Sequence, residues 1–175
     1  MEDFSILTVS SPFRFKTLFT KPLKYIIQIF TGDASEHAAK YQKGFVMNVS
    51  GKGFEKIPFD KWMERYSVNG AKIHEYILPY KLTPHQEELI DAFDNKCLDK
   101  NYDVPAAMLS VFDEIKFIRT LIKRFRKEEK GIFCSQQAFS SLVAGGIFPP
   151  QQDLVSPSEL KKMLIKKGWE KNKIS

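Results

Sequence analysis

No apolar run in the 175-residue chain approaches the ~20 residues needed to span a bilayer. The first ten residues begin acidic and lack the basic start and apolar stretch of a secretory signal. Cysteine is scarce. Cys97 and Cys134 are far apart and differently placed, which excludes a disulfide framework and a metal-ligand spacing pattern. Histidine occurs three times, and no zinc-finger, RNP-type or other nucleic-acid signature is present, so no specific nucleic acid, metal or cofactor is expected. Repeats and long low-complexity linkers are also missing. These absences predict one domain over 1–175, in a reducing, cytoplasmic setting; a phage-borne or otherwise delivered protein would look the same.

What is present is globular: 43% hydrophobic and 27% charged residues, with fifteen phenylalanines. The net charge of +6 is local. One block, "KFIRTLIKRFRKEEK" (116–130), carries an apolar stripe of Phe117, Ile118, Leu121, Ile122 and Phe125, with basic residues largely off it. It reads as an amphipathic helix whose basic face is either solvated or laid on an anionic membrane. The other block is a basic C-terminal tail from about 161.

Period-2 patterns predict strands at "FSILTVSS", "HAAKYQ", "FVMNVS", "FEKIPF" and "AKIHEYILPY", with a tight "KG" turn joining the second and third. Helices are predicted from about Phe15 to Phe30, interrupted or restarted at Pro22, and over "DKWMERY". Two more carry start signals: "TPHQEELIDAFDNKCL" with Thr83 as cap and Gln86 completing a capping box, and "SPSELKKML" with Ser156 as cap. Adjacent short strands with segregated helices imply an α+β fold with an antiparallel sheet.

The segment "GIFCSQQAFSSLVAGG" (131–146) turns a short apolar approach into a helix, with Cys134 at its start. Helical N–H groups and the positive end of the dipole favour a thiolate there, the nucleophilic form. A small buried hydrophobe is the competing reading. A nucleophilic cysteine needs a base and a group to orient it. His85, in a helical first turn, reads as solvated, and His74, mid-strand, as structural. His37 opens a strand directly after a Gly/Asp/Ser turn, where a side chain is both held and accessible. Asn48, strongly polar within "FVMNV", reads either as an exposed strand position or as a group that can reach the imidazole across the hairpin and fix its tautomer.

The order of "EHAAKYQ", "VMNVSGKGFEKIPFDKW", "NYD", "FCSQQAF" and "SPSEL" resembles the permuted papain-like amidases of the YiiX/YaeF type, within the NlpC-like superfamily. These are related in layout to the lecithin:retinol acyltransferase group, and the resemblance covers roughly 30–160. It implies a circularly permuted papain-like fold, a small antiparallel sheet or half-barrel packed on helices. It also implies a thiol hydrolase cleaving amide or ester bonds, with Cys134 as nucleophile, His37 as base and Asn48 as orienting residue. Asn48 stands where relatives usually have glutamate, so Asn48→Glu is expected to be tolerated. Tyr102 matches a tyrosine near the nucleophile in that group; Tyr102 and Ser135 are the expected substrate-binding residues. The implied substrate is a peptide, amide-linked or lipid-like molecule. An acyltransferase, or an inactive basic binding module, would carry the same motifs.

Overall fold

The computed structural model describes residues 4–10, 35–50, 53–67, 71–98, 133–150 and 155–174. The predicted helix over 15–30, Tyr102 and the basic segment 116–130 lie outside these residues. Strands β1 (Phe4–Ser10), β2 (Ser35–Gln42), β3 (Phe45–Ser50), β4 (Gly53–Pro58), β5 (Lys72–Ile77) and β6 (Glu170–Lys173) form one sheet, ordered β4-β3-β2-β1-β5-β6. Every pairing is antiparallel. Among the described residues there are four helices: α1 (Phe59–Tyr66), α2 (Pro84–Cys97), α3 (Cys134–Ala144) and α4 (Pro157–Lys166). None is long and apolar enough to cross a membrane.

Local chemistry sets most boundaries. Lys43 (φ 49°) and Gly44 (φ 84°) form the two-residue turn between β2 and β3, the left-handed pair that matches strand twist. Thr83 and Gln86 complete the capping box of α2, worth roughly 1 kcal/mol, and Ser156 accepts from the Glu159 N–H at the start of α4. At the end of α3, Gly146 takes φ 69°. Its neighbour Gly145 lies where a Cβ would meet the Ile90 side chain at 2.8 Å, so α2 and α3 close on that point. Pro58 ends β4 one residue earlier than the pattern "FEKIPF" suggests, because Phe59 already belongs to α1.

Both faces of the sheet are covered, which is why β1 is almost continuously buried. Phe4 and Ile6 join Ile90 of α2, Phe139 and Leu142 of α3, and Leu160 and Leu164 of α4. Leu7 and Val9, with the opposite parity, join Ala39, Val46, Ile57 and Ile73 around Trp62 of α1. The segment from Lys161, expected as a basic tail, is instead part of the fold. Leu164 and Trp169 are buried, and Trp169 packs edge-on against Phe4 at 6.3 Å. That anchor carries the polar residues Glu170–Lys173 onto the edge of β5.

Candidate active site

On β2, side chains alternate between the two faces, so His37 and Ala39 face α1 while Ala38 and Lys40 face α2 and α3. Paired positions between β2 and β3 run from Lys40↔Met47 to Gln42↔Phe45. N-terminal to Lys40 the two strands part, and the start of α3 meets them at the fork. There the Cys134 sulfur accepts from the backbone N–H of Ala38 and of Ser135 and is hydrogen-bonded to the His37 side chain. Phe133, the N-cap of α3, offers no side-chain hydrogen bond, so the thiol caps its own helix through Ser135 N–H. Burial alone would push the thiol pKa up. The charge and hydrogen bond of His37, with the two N–H donors, outweigh it and hold Cys134 below the usual thiol value.

The imidazole is fixed on its other side. His37 Nε2 lies 2.7 Å from Asn48 Oδ1. The same oxygen accepts from Trp62 Nε1 at 3.1 Å and from the Tyr66 hydroxyl at 3.3 Å. Indole N–H is a donor only, so the Asn48 amide turns its oxygen toward this cluster and His37 Nε2 must carry a proton. In the neutral ring this leaves the Nδ1 lone pair for the thiol. Tyr66 also stacks flat on the imidazole, with ring centroids 5.1 Å apart and planes 2° apart, while Trp62 stacks on Tyr66 at 4.8 Å. Burial raises the Tyr66 phenol above its ordinary value; Asn48 and Arg65 pull the other way, and the Glu55 and Cys134 charges add to the rise.

Behind Asn48 stands Glu55 of β4, its register partner. Asn48 Nδ2 donates to Glu55 Oε1 at 2.8 Å, and that oxygen also takes Ser50 Oγ at 3.2 Å and Arg65 at 2.6 Å. Burial works against ionisation of Glu55, yet the Asn48, Arg65 and Ser50 hydrogen bonds and the Arg65 charge hold its carboxyl below the ordinary range. This arrangement argues against tolerance of Asn48→Glu. A carboxylate at 48 would face the Glu55 carboxylate directly, and like-charge repulsion disfavours ionising both.

The structure therefore brings together Cys134, His37 and Asn48. Ser135 contributes its backbone N–H to the thiol, but its side chain is fully buried and its hydroxyl donates to the Val155 carbonyl at 2.7 Å. His74 sits on β5 among Lys72, Lys161, Lys171 and Lys173; burial and these charges lower its pKa. His85 is exposed beside Glu88. Sequence reasoning missed Glu55, Trp62, Tyr66 and Arg65 as site neighbours. A usable signal existed for Glu55: centring a hairpin on Gly51 and Lys52 sets residue 48 opposite 55. It also missed that Cys97, wholly buried, shares a small apolar cluster with Cys134, Met47, Val49 and Phe54.

No family model and no curated protein matches the sequence. Among solved structures the chain is similar in fold to one described as metalloprotein yiiX from Escherichia coli O157:H7, DUF1105. The TM-score is 0.52 at 14% identity, covering 90% of this chain and 78% of the other. This establishes a YiiX-like fold relationship. Among the described residues no three His, Cys, Asp or Glu side chains come together to hold a metal ion, and the donors at this site already serve one another.

Proposed function

We propose that the chain is a cysteine-dependent acyl hydrolase with a circularly permuted papain-like arrangement, cleaving an amide or ester bond through a thioester. The observation that carries this reading is a buried thiol on the first residue of a helix, hydrogen-bonded to a histidine whose far nitrogen is held by Asn48. His37 Nδ1 takes the thiol proton, giving a thiolate and an imidazolium. The thiolate attacks the acyl carbon, and N–H groups at the start of α3 serve as donors for the oxygen as it gains charge. As the tetrahedral species collapses, the imidazolium returns its proton to the departing amine or alcohol. A thioester remains on Cys134. Water, deprotonated by His37, then attacks the thioester; the acid leaves and the thiol is restored. An alternative nucleophile in the last step would make the product a transferred acyl group.

The motif order around His37 and Cys134 and the YiiX-like fold support the permuted papain-like assignment. Turnover on a panel of amide and ester substrates, varied in head group and chain, tests the proposal. Cys134→Ala and His37→Ala should each abolish turnover that the parent protein shows. Equal turnover in either variant would exclude this mechanism.

A further inference from the structure

Asn48 is neutral, yet the oxygen it turns toward His37 must stabilise a positively charged ring during the reaction proposed above. A neutral acceptor does this less well than an ion, whose hydrogen bonds are roughly twice as strong. The described groups facing this end of the site are Tyr66 and Arg65 of α1, Glu55 of β4, Ser50 of β3 and Cys134 of α3. Glu55 is the carboxylate among them. It is partly exposed, yet it is built into the hydrogen-bond network of the site. One oxygen gathers Asn48, Ser50 and Arg65, three donors from two elements, and the Asn48 amide spans the distance from that oxygen to the imidazole.

We propose that Glu55 is a positioning residue of this site: it fixes the Asn48 amide with Oδ1 toward His37 and sets a negative charge one hydrogen bond behind it. The inference rests on the reading of Cys134 and His37 as a catalytic pair, but its consequences reach beyond turnover. An amide that donates to a carboxylate is polarised, so its oxygen becomes a better acceptor for the imidazolium. Together with the Asn48 hydrogen bond, Arg65 helps hold the Glu55 carboxyl below its ordinary range, and it tempers the charge felt at the ring. Glu55 thereby supplies across β3–β4 what a carboxylate at position 48 would supply directly. It does so without placing an anion in contact with the ring, where it would also lie nearer the thiolate.

The test reads the imidazole itself. His37 ring resonances, assigned by comparison with His37→Ala, are titrated by NMR in the full chain and in Glu55→Gln, Arg65→Met and, as a distant charge control, Glu87→Gln. Glutamine at 55 keeps an acceptor for Asn48 and removes only the charge. The imidazolium should therefore lose its proton at lower pH in Glu55→Gln, by roughly half to one pH unit. Arg65→Met, which exposes the full Glu55 charge, should move it upward. Glu87→Gln, whose partner is Lys43, should leave it in place. The same pattern is expected in a Cys134→Ala background, which separates the ring from the thiol. A His37 midpoint unchanged in Glu55→Gln, or unmoved or lowered in Arg65→Met, overturns the assignment. If Glu55→Gln does not fold, the Arg65→Met titration decides. These titrations need no substrate. A predicted shift in a protein that turns over no acyl compound would end the hydrolase proposal alone, and turnover without the shift would end this one alone.

Discussion

Replacing Asp94 by asparagine tests how the two halves of the site are held together. Asp94 of α2 is 4% exposed and pairs with the wholly buried ammonium of Lys40, which lies three residues after His37 on β2. Its other oxygen accepts from Gln137 and Ser141 of α3, each at 2.9 Å, and Gln137 lies three residues after Cys134. The isosteric amide can keep those two hydrogen bonds, but it turns an N–H toward Lys40. The ammonium then retains Gln42 Oε1 at 2.9 Å and loses its counter-charge. Breaking one side of a buried pair costs about 3–5 kcal/mol, so Tm should fall on the order of 10 °C for a chain of this length. Burial lowers the Lys40 pKa, with the Asp94 charge and hydrogen bond opposing it. Without Asp94 the residue can discharge by losing its proton, and the destabilisation should shrink as pH rises. Adding Lys40→Met removes the stranded charge and should recover most of the loss, short of about 1 kcal/mol for the unpaired Gln42 oxygen. Urea unfolding of the parent, both single variants and the double variant gives the coupling energy. A single Asp94→Asn variant within about 1 kcal/mol of the parent, or a double variant no better than the single, would refute the reasoning.

Further outcomes follow from the same geometry. Asn48→Ala should reduce kcat by about ten- to a hundredfold if orienting the ring is worth about 1.4–2.7 kcal/mol, while Asn48→Glu should lose at least as much because it opposes Glu55; kinetics on the best substrate of the panel check both. Cys97→Ala should keep activity and cost about 1 kcal/mol in a packed core, measured by denaturant titration; inactivation by this change with full activity in Cys134→Ala would reverse the assignment of the nucleophile. Iodoacetamide should alkylate Cys134 with a midpoint below the ordinary thiol value of about 8.5, and a midpoint at or above it would show that burial prevails over His37.

Much of the fold was legible because its signals are local. The "KG" turn, the Thr83 and Ser156 caps and the paired glycines after α3 each fix a boundary through backbone chemistry within a few residues. The strand β6 was not legible. Its four residues, "EKNK", are exposed and carry no apolar alternation; Trp169 and the free edge of β5 place it, and both are tertiary facts. The site divides in the same way. Cys134 announces itself as the first residue of its helix, and His37 by following a turn, although its strand begins two residues earlier, at Ser35. Glu55, Trp62 and Tyr66 become neighbours of Asn48 only when a hairpin register and the seat of α1 are known. The buried Lys40 was hidden for a related reason. Its strand position reads as an ordinary polar one until Asp94 is brought to it from α2.

The central claim is that Cys134, activated by His37, carries the acyl group. Mixing the protein with a small activated acyl ester, quenching in acid and measuring intact and peptide masses tests it most directly. The account predicts one acyl addition on the peptide containing Cys134, absent in Cys134→Ala and formed far more slowly in His37→Ala. An acyl group on Cys97 or on lysines instead, or acylation of Cys134 at the same rate without His37, would contradict it.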